Sequence, residues 1–259
     1  LPPLPAVRGV DGVARFDLDS LTIALAGGTS QGLSLAAGTV VLHDFDKPVE
    51  AIAIDIPIEG PLRDVLDLIS RPPLRYTERV GIRPEQASGH ARARLQLQFP
   101  LLRDLPIERI ALDINGQVTG GVLEQAVAGH AITDANLSIS VNDAGLDMNG
   151  TLALAGIPAN LAWRGGFPAR APVKTKLTLN AERFAVPKLA PLLPKEHDVS
   201  AVLTGGDLGG RVELTVRQSG TTEIAVSADL TAAAVTLAPA GWSKPPGTPA
   251  TCSIAAVLV

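Results

Sequence analysis

Gly28-Thr29-Ser30-Gln31-Gly32 has the G-x-S-x-G spacing of a hydrolase nucleophile elbow, in which a serine on a sharp turn attacks an ester carbonyl. The mechanics need a strand before the serine and a helix after it. Residues 33–42 read as another strand, so the pentapeptide reads as a turn. Other reactive residue types are equally scattered. His43, His90, His130 and His197 form no i, i+4 pair able to grip a metal from one helical face. Asp17-Leu18-Asp19 and Asp44-Phe45-Asp46 stop short of the oxygen-rich loop that calcium needs. Gly205-Gly206-Asp207-Leu208-Gly209-Gly210 lies between strands, where glycines serve a hairpin turn better than a phosphate cradle. The single cysteine, Cys252, has neither a disulfide partner nor a neighbouring metal ligand. No set of residues specifies catalysis, a metal or another cofactor, and the chain reads as a non-enzyme.

Composition points the same way. Of 259 residues, 46% are hydrophobic but only 3% aromatic, so the apolar surface is almost wholly aliphatic. The net charge of −4 with no densely basic, aromatic window excludes a nucleic-acid partner. Dispersed cations such as Arg63, Arg71, Lys174 and Lys188 read as solvated charges rather than a head-group patch. No apolar run approaches the roughly 18 to 20 residues that span a bilayer. The opening Leu1-Pro2-Pro3-Leu4-Pro5 has no features of a targeting signal, and the chain stops inside an apolar run. Both ends read as cuts in a longer polypeptide.

The elements that would position any site are strands. Residues 90–99 alternate strictly: Ala91, Ala93, Leu95, Leu97 and Phe99 point one way, and His90, Arg92, Arg94, Gln96 and Gln98 the other. Ile110, Leu112, Ile114 and Val118 repeat the pattern after a proline-bounded connection. Upstream, residues 14–25 read as β structure with a bulge at Asp19-Ser20, followed by strands at 33–42 and 51–58. Downstream, strands are expected at 131–141, 145–155, 157–164, 173–181, 197–204, 208–217, 222–230 and 233–238, with a final strand after a proline-rich loop at 239–249. Two segments change period. Leu62, Val65, Leu66 and Ile69 mark a short helix behind Pro61, with a further turn at 76–80, and residues 184–193, broken by Pro187 and Pro191, form the other insert.

The expected fold is therefore mainly β: a long, largely antiparallel sheet with two short helical inserts. It is one elongated segment, 1–259, with sub-units at 1–86, 87–182 and 183–259. An apolar sheet face must be covered. Either a second sheet fills it, or the sheet's own curvature leaves a gutter with an aliphatic floor.

Several stretches, in this order, carry a family resemblance. They are Gly12-x-x-x-Phe16-x-x-Asp19-x-Leu21; Gly60-Pro61-Leu62 leading into Val65-Leu66-Asp67-Leu68-Ile69; Pro72-Pro73-Leu74; Ser88-Gly89; Phe99-Pro100-Leu101; Gly150-Thr151-Leu152-Ala153-Leu154-Ala155-Gly156-Ile157-Pro158-Ala159; and Gly241-Trp242-Ser243-Lys244-Pro245-Pro246-Gly247. Together they resemble the central region of YhdP-like proteins, an AsmA-like group of Gram-negative envelope proteins related to TamB. The resemblance implies that the long sheet is curved into a taco-like groove or open barrel, a periplasmic groove segment of a protein anchored in the inner membrane, its anchor lying outside this chain. It implies a role in phospholipid transport between the inner and outer membranes. The implied partners are phospholipid acyl chains, the rest of the same polypeptide at both ends, and other envelope proteins. It carries no catalytic motif.

An exposed acyl chain of roughly sixteen carbons costs on the order of 10 kcal/mol in water, at about 0.8 kcal/mol per methylene, and an aliphatic trough would remove most of that. Candidate lining residues are Leu95, Leu97, Phe99, Ile110, Leu112, Ile114, Leu137, Ile139, Val141, Leu146, Met148, Leu152, Leu154, Leu161 and Trp163. Plain core packing is the competing role for each, and a scaffold domain with a protein-filled core, supporting outer-membrane assembly, is the alternative function.

Overall fold

The computed structural model describes residues 6–71, 82–106, 109–127, 129–166, 172–193 and 199–258. Their strands join one large antiparallel sheet of 16 strands that does not close into a barrel. The chain divides into two compact units: residues up to Gly121 with Ser138–Gly145, and Val122–Leu137 with residues from Leu146 onward.

The first unit begins with β1 (Arg8–Phe16) and β2 (Ser20–Ser30), followed by β3 (Leu33–Leu35), β4 (Gly38–His43) and β5 (Ala51–Pro61). The parity change expected as a bulge at Asp19-Ser20 is instead a hairpin turn, closed by the Asp17 N–H donating to the Ser20 carbonyl at 2.8 Å. A bulge and a tight turn both shift the alternation, and sequence parity does not separate them. The single strand expected over 33–42 is split into β3 and β4, both of which pair with β2 and β5. Helix α1 (Leu62–Ser70) follows β5 directly, with Pro61 as its N-cap and φ already near the helical value at −56°. Its half-buried Val65, Leu66 and Ile69 form the stripe that the spacing predicts, and Leu62 is buried. The further turn expected at 76–80 lies outside the described residues. After a 3₁₀ turn at Pro84–Gln86 come β6 (Ala87–Pro100) and β7 (Ala111–Val127), which pair as the alternation of both segments predicts.

β8 (His130–Asn142) leads through an Asx turn, in which the Ala144 N–H donates to Asn142 Oδ1 at 2.9 Å, into β9 (Gly145–Leu154). The second unit continues with β10 (Ile157–Gly165), β11 (Val173–Ala185), a 3₁₀ segment (Val186–Leu192), β12 (Leu203–Arg217), β13 (Thr222–Asp229), β14 (Ala233–Leu237), β15 (Trp242–Lys244) and β16 (Thr251–Leu258). The segment with Pro187 and Pro191 stays 3₁₀ because proline removes the amide donors an α-helix would need.

The glycine run at 205–210 is not a hairpin turn but part of the continuous strand β12. At Gly206 the strand changes partner: Leu203 and Gly206 pair with Val235 and Ala233 of β14, whereas Gly209 onward pairs with β13. Gly206 has φ +87°, and a Cβ there would overlap the Ala232 carbonyl oxygen. Glycine is thus needed for a close backbone approach within a strand, a use of Gly that resembles a turn in sequence. Gly205, next to it, faces open space. Gly206→Ala is expected to cost about 1–3 kcal/mol of stability and Gly205→Ala less than about 1 kcal/mol, read from chemical denaturation midpoints. Equal midpoints for the two variants would refute this account of the partner change.

Candidate functional site

In antiparallel pairing, residues opposite one another share a sheet face, so the register shows how far an apolar surface runs. In the first unit one row runs Phe16, Leu21, Leu42, Ile52, Phe99 across five strands, and the next runs Ala14, Ile23, Val40, Ile54, Leu97. Ile56 and Ile58 extend this face opposite Leu95 and Ala93. Gly116 brings β7 close to β6, since a Cβ there would stand 3.1 Å from that of Ala93. Ile114 and Leu112 alternate with Gly116 and lie on the same side of β7. Ile110 precedes that strand, and Ile139 and Val141 lie on the same side of β8 as Leu137.

The second unit repeats the arrangement. Met148, Trp163, Leu177, Leu214, Ile224 and Ala256 form one row, and Gly150, Leu161, Leu179, Val212, Val226 and Ile254 the next. Leu146 pairs with Gly165, Leu152 with Ala159 and Leu154 with Ile157 on the same face. Ala135, Leu152 and Leu161 form a buried cluster, against which Leu137, Met148, Leu154 and Trp163 pack.

Of the fifteen candidate lining residues, these rows bring together Leu95, Leu97 and Phe99 in the first unit and Leu146, Met148, Leu152, Leu154, Leu161 and Trp163 in the second, and few of the fifteen are buried. Leu152 and Leu161 are 5% and 9% exposed. The other thirteen are only half-buried. Among the described residues no large side chain is fully buried. Every described strand belongs to the one sheet, and within each unit short pieces of other structure pack against it. Those pieces sit at strand ends. In the first unit α1 continues from the end of β5, near buried Leu33, Leu62, Ala87 and Ala91. In the second, Leu189 and Leu192 of the 3₁₀ segment pack on buried Ile157, Phe184, Leu208 and Ala233.

The sequence reading missed half of each face. Leu21, Ile23, Val40, Leu42 and the isoleucines of β5 belong with Leu95 and Leu97, and Leu177, Leu179, Val212, Leu214, Ile224 and Val226 belong with Met148 and Trp163. Their alternation carried the signal, while their adjacency needed the register.

The opposite face is polar and internally paired. Arg94 donates from Nε and Nη2 to the two oxygens of Asp55 at 2.7 Å each, and Gln96 donates to Asp55 at 3.0 Å. The Arg94 hydrogen bonds, with help from Gln96, pull the Asp55 carboxyl down to about 2. In the second unit Arg164 pairs with Asp147 at 2.8 Å and Arg217 with Glu223 at 2.5 Å. Lys244 is the exception to this solvent-facing chemistry. It is 3% exposed, and its ammonium donates to the carbonyls of Ala233, Pro245 and Thr231 at 2.8, 3.1 and 3.3 Å, pinning β15 to the start of β14.

Among the described residues the reactive candidates lie apart from one another. Ser30 ends β2 and is followed by Gln31 at φ +49°, Gly32 at φ +84° and β3, a strand–turn–strand geometry. Its hydroxyl donates to the Ala6 carbonyl at 3.3 Å. Asp17, Asp19, Asp44 and Asp46 lie in connections between strands. His90 meets Glu59 at 2.8 Å on the exposed face, and His43 meets Asp44 at 3.2 Å. His130 begins β8, and His197 lies outside the described residues. Cys252 is exposed on β16, and no metal-ligating cluster occurs among the described residues.

An open antiparallel sheet with aliphatic cross-strand rows in each unit defines a β-rich class of protein. The profile of the YhdP protein family matches residues 1–256, and the chain belongs to that AsmA-like family. The family consists of envelope proteins linked to phospholipid transport and is generally non-catalytic. No curated protein and no solved structure matches the chain. No described helix is long and apolar enough to cross a membrane.

Two outcomes follow from the charged groups. Because the Asp55 carboxyl is lowered from 3.8 to about 2 in the fold, its stabilising contribution is complete above 3.8 and disappears as pH falls through about 2. Asp55→Asn is expected to flatten the stability profile in that window while changing stability at neutral pH by about 1 kcal/mol or less, measured by denaturation at several pH values. Lys244→Met strips three carbonyls of their donor and is expected to cost about 1–3 kcal/mol. An unchanged melting curve would show that the ammonium is dispensable.

Proposed function

We propose that the two aliphatic faces carry phospholipid acyl chains, making this chain a non-enzymatic, periplasmic groove segment of an inner-membrane-anchored envelope protein. It would work with further parts of the same polypeptide on either side and with other envelope proteins. The observation that supports this reading is the pairing of continuous cross-strand aliphatic rows with incomplete cover. Surface of this kind is costly in water unless something apolar occupies it. An acyl chain gains about 0.8 kcal/mol per methylene removed from water, and its head group can stay wet at the rim. The polar face, with its paired arginines and carboxylates, would keep the other side of the sheet in solvent.

The buried cluster around Phe184 and Leu208 supports the competing reading, a scaffold domain whose apolar residues serve its own packing. Photocrosslinking amino acids separate the two. Placed at Leu97, Leu112 and Leu214 on the aliphatic faces, they should capture phospholipid in cells, while Gln96 and Thr215 on the opposite faces should not. Adducts confined to protein, or equal lipid capture from both faces, would reject the lipid-carrying reading.

A further inference from the structure

The second unit's aliphatic face differs at its two strand ends, and the difference gives a bound lipid a direction. At one end Ile157, Phe184 and Leu208 are 4%, 9% and 4% exposed, and Ala233 is fully buried. The covering 3₁₀ segment is tied across the strands by Lys188, whose ammonium donates to the Gly156 carbonyl in the β9–β10 turn at 2.9 Å. At the other end Trp163, Leu177, Val216 and Ile224 are half-buried. Trp163 lies on the aliphatic face with its indole N–H donating to Thr175 Oγ1 at 2.8 Å, an amphipathic ring suited to the boundary between hydrocarbon and water.

The span between these ends fits one acyl chain. From Ile157 to Trp163 the strand advances about 20 Å at ~3.4 Å per residue, comparable with the ~15 Å of hydrocarbon in one leaflet of a ~30 Å core. Lying along the strands, such a chain would stop against the Phe184 and Leu208 cluster. A phosphate placed there would be stripped of water against apolar side chains, whereas beside the half-buried Trp163 it can stay hydrated.

We infer that a phospholipid on the second unit lies along the strands with its acyl methyl end toward Phe184 and Leu208 and its head group at the Trp163 end. This rests on the lipid-carrying reading and adds a polarity to it. The test uses the full chain with two photoactivatable phospholipids, one with a diazirine near the acyl terminus and one with it on the head group, the adducts being mapped by peptide mass spectrometry. The acyl-terminal probe should label residues 184–192 and 203–208 over residues 163–166 and 173–176 by roughly tenfold or more, and the head-group probe should show the reverse preference. Swapped or identical distributions overturn the polarity while leaving lipid carriage intact. Absence of adducts from both probes overturns polarity and carriage together.

Discussion

Cross-strand register is the constraint on which the rest of this structure depends. Side chains alternate along a strand, so a slip of one residue would send an entire row to the other face. Opposite Leu97, for instance, a slipped β5 would present Ala53 or Asp55 in place of Ile54. The aliphatic rows stay continuous because successive hairpins keep apolar residues opposite apolar residues, and because irregularities are placed outside the rows or absorbed by them. The register shift between Ala181 and Phe184 is such a case: it restores the pairing of Phe184 with Leu208, and so places both in the buried end cluster.

The polar face contributes to this specificity more than to stability. Exposed ion pairs are worth little individually. Yet Arg94 with Asp55, Arg164 with Asp147 and Arg217 with Glu223 make the reversed sheet unacceptable, since flipping a strand would carry a charge onto the aliphatic rows. The same economy is visible at β1, an edge strand whose Arg8, Asp11 and Arg15 and whose register shifts discourage edge-to-edge pairing.

Much of this was legible in the residues themselves. The alternation of Leu95, Leu97 and Phe99 specifies a strand with an apolar face, and Leu62, Val65, Leu66 and Ile69 specify α1, because both patterns are local consequences of backbone geometry. Long-range pairing was not legible. Nothing in the sequence places Trp163 beside Leu177, or Val212 beside Val226, and half of each face therefore went unassigned. Gly206 shows a second limit. A glycine required for close approach of Ala232 has the same local signature as a glycine in a turn, and only the partner strand distinguishes them. Finally, alternation reports which way Met148 or Leu152 points but not how deeply it is covered. Depth depends on what lies above the face, a property of the whole unit.

Shallow cover follows from the composition as much as from the topology. Sealing a face of this width would take a second layer, and α1 and the 3₁₀ segment supply only short pieces at strand ends. With few large aromatic rings, the rows offer a sequence of near-equivalent leucine, isoleucine and valine contacts. Such contacts differ little in energy from one row to the next, since the hydrophobic effect is non-directional and follows area. A ligand held this way can be shifted along a row without surrendering a dominant contact, as it would on leaving an enclosed aromatic pocket. On the proposed function, the aliphatic composition and the half-buried rows are thus two consequences of one requirement: to shield hydrocarbon from water without trapping it.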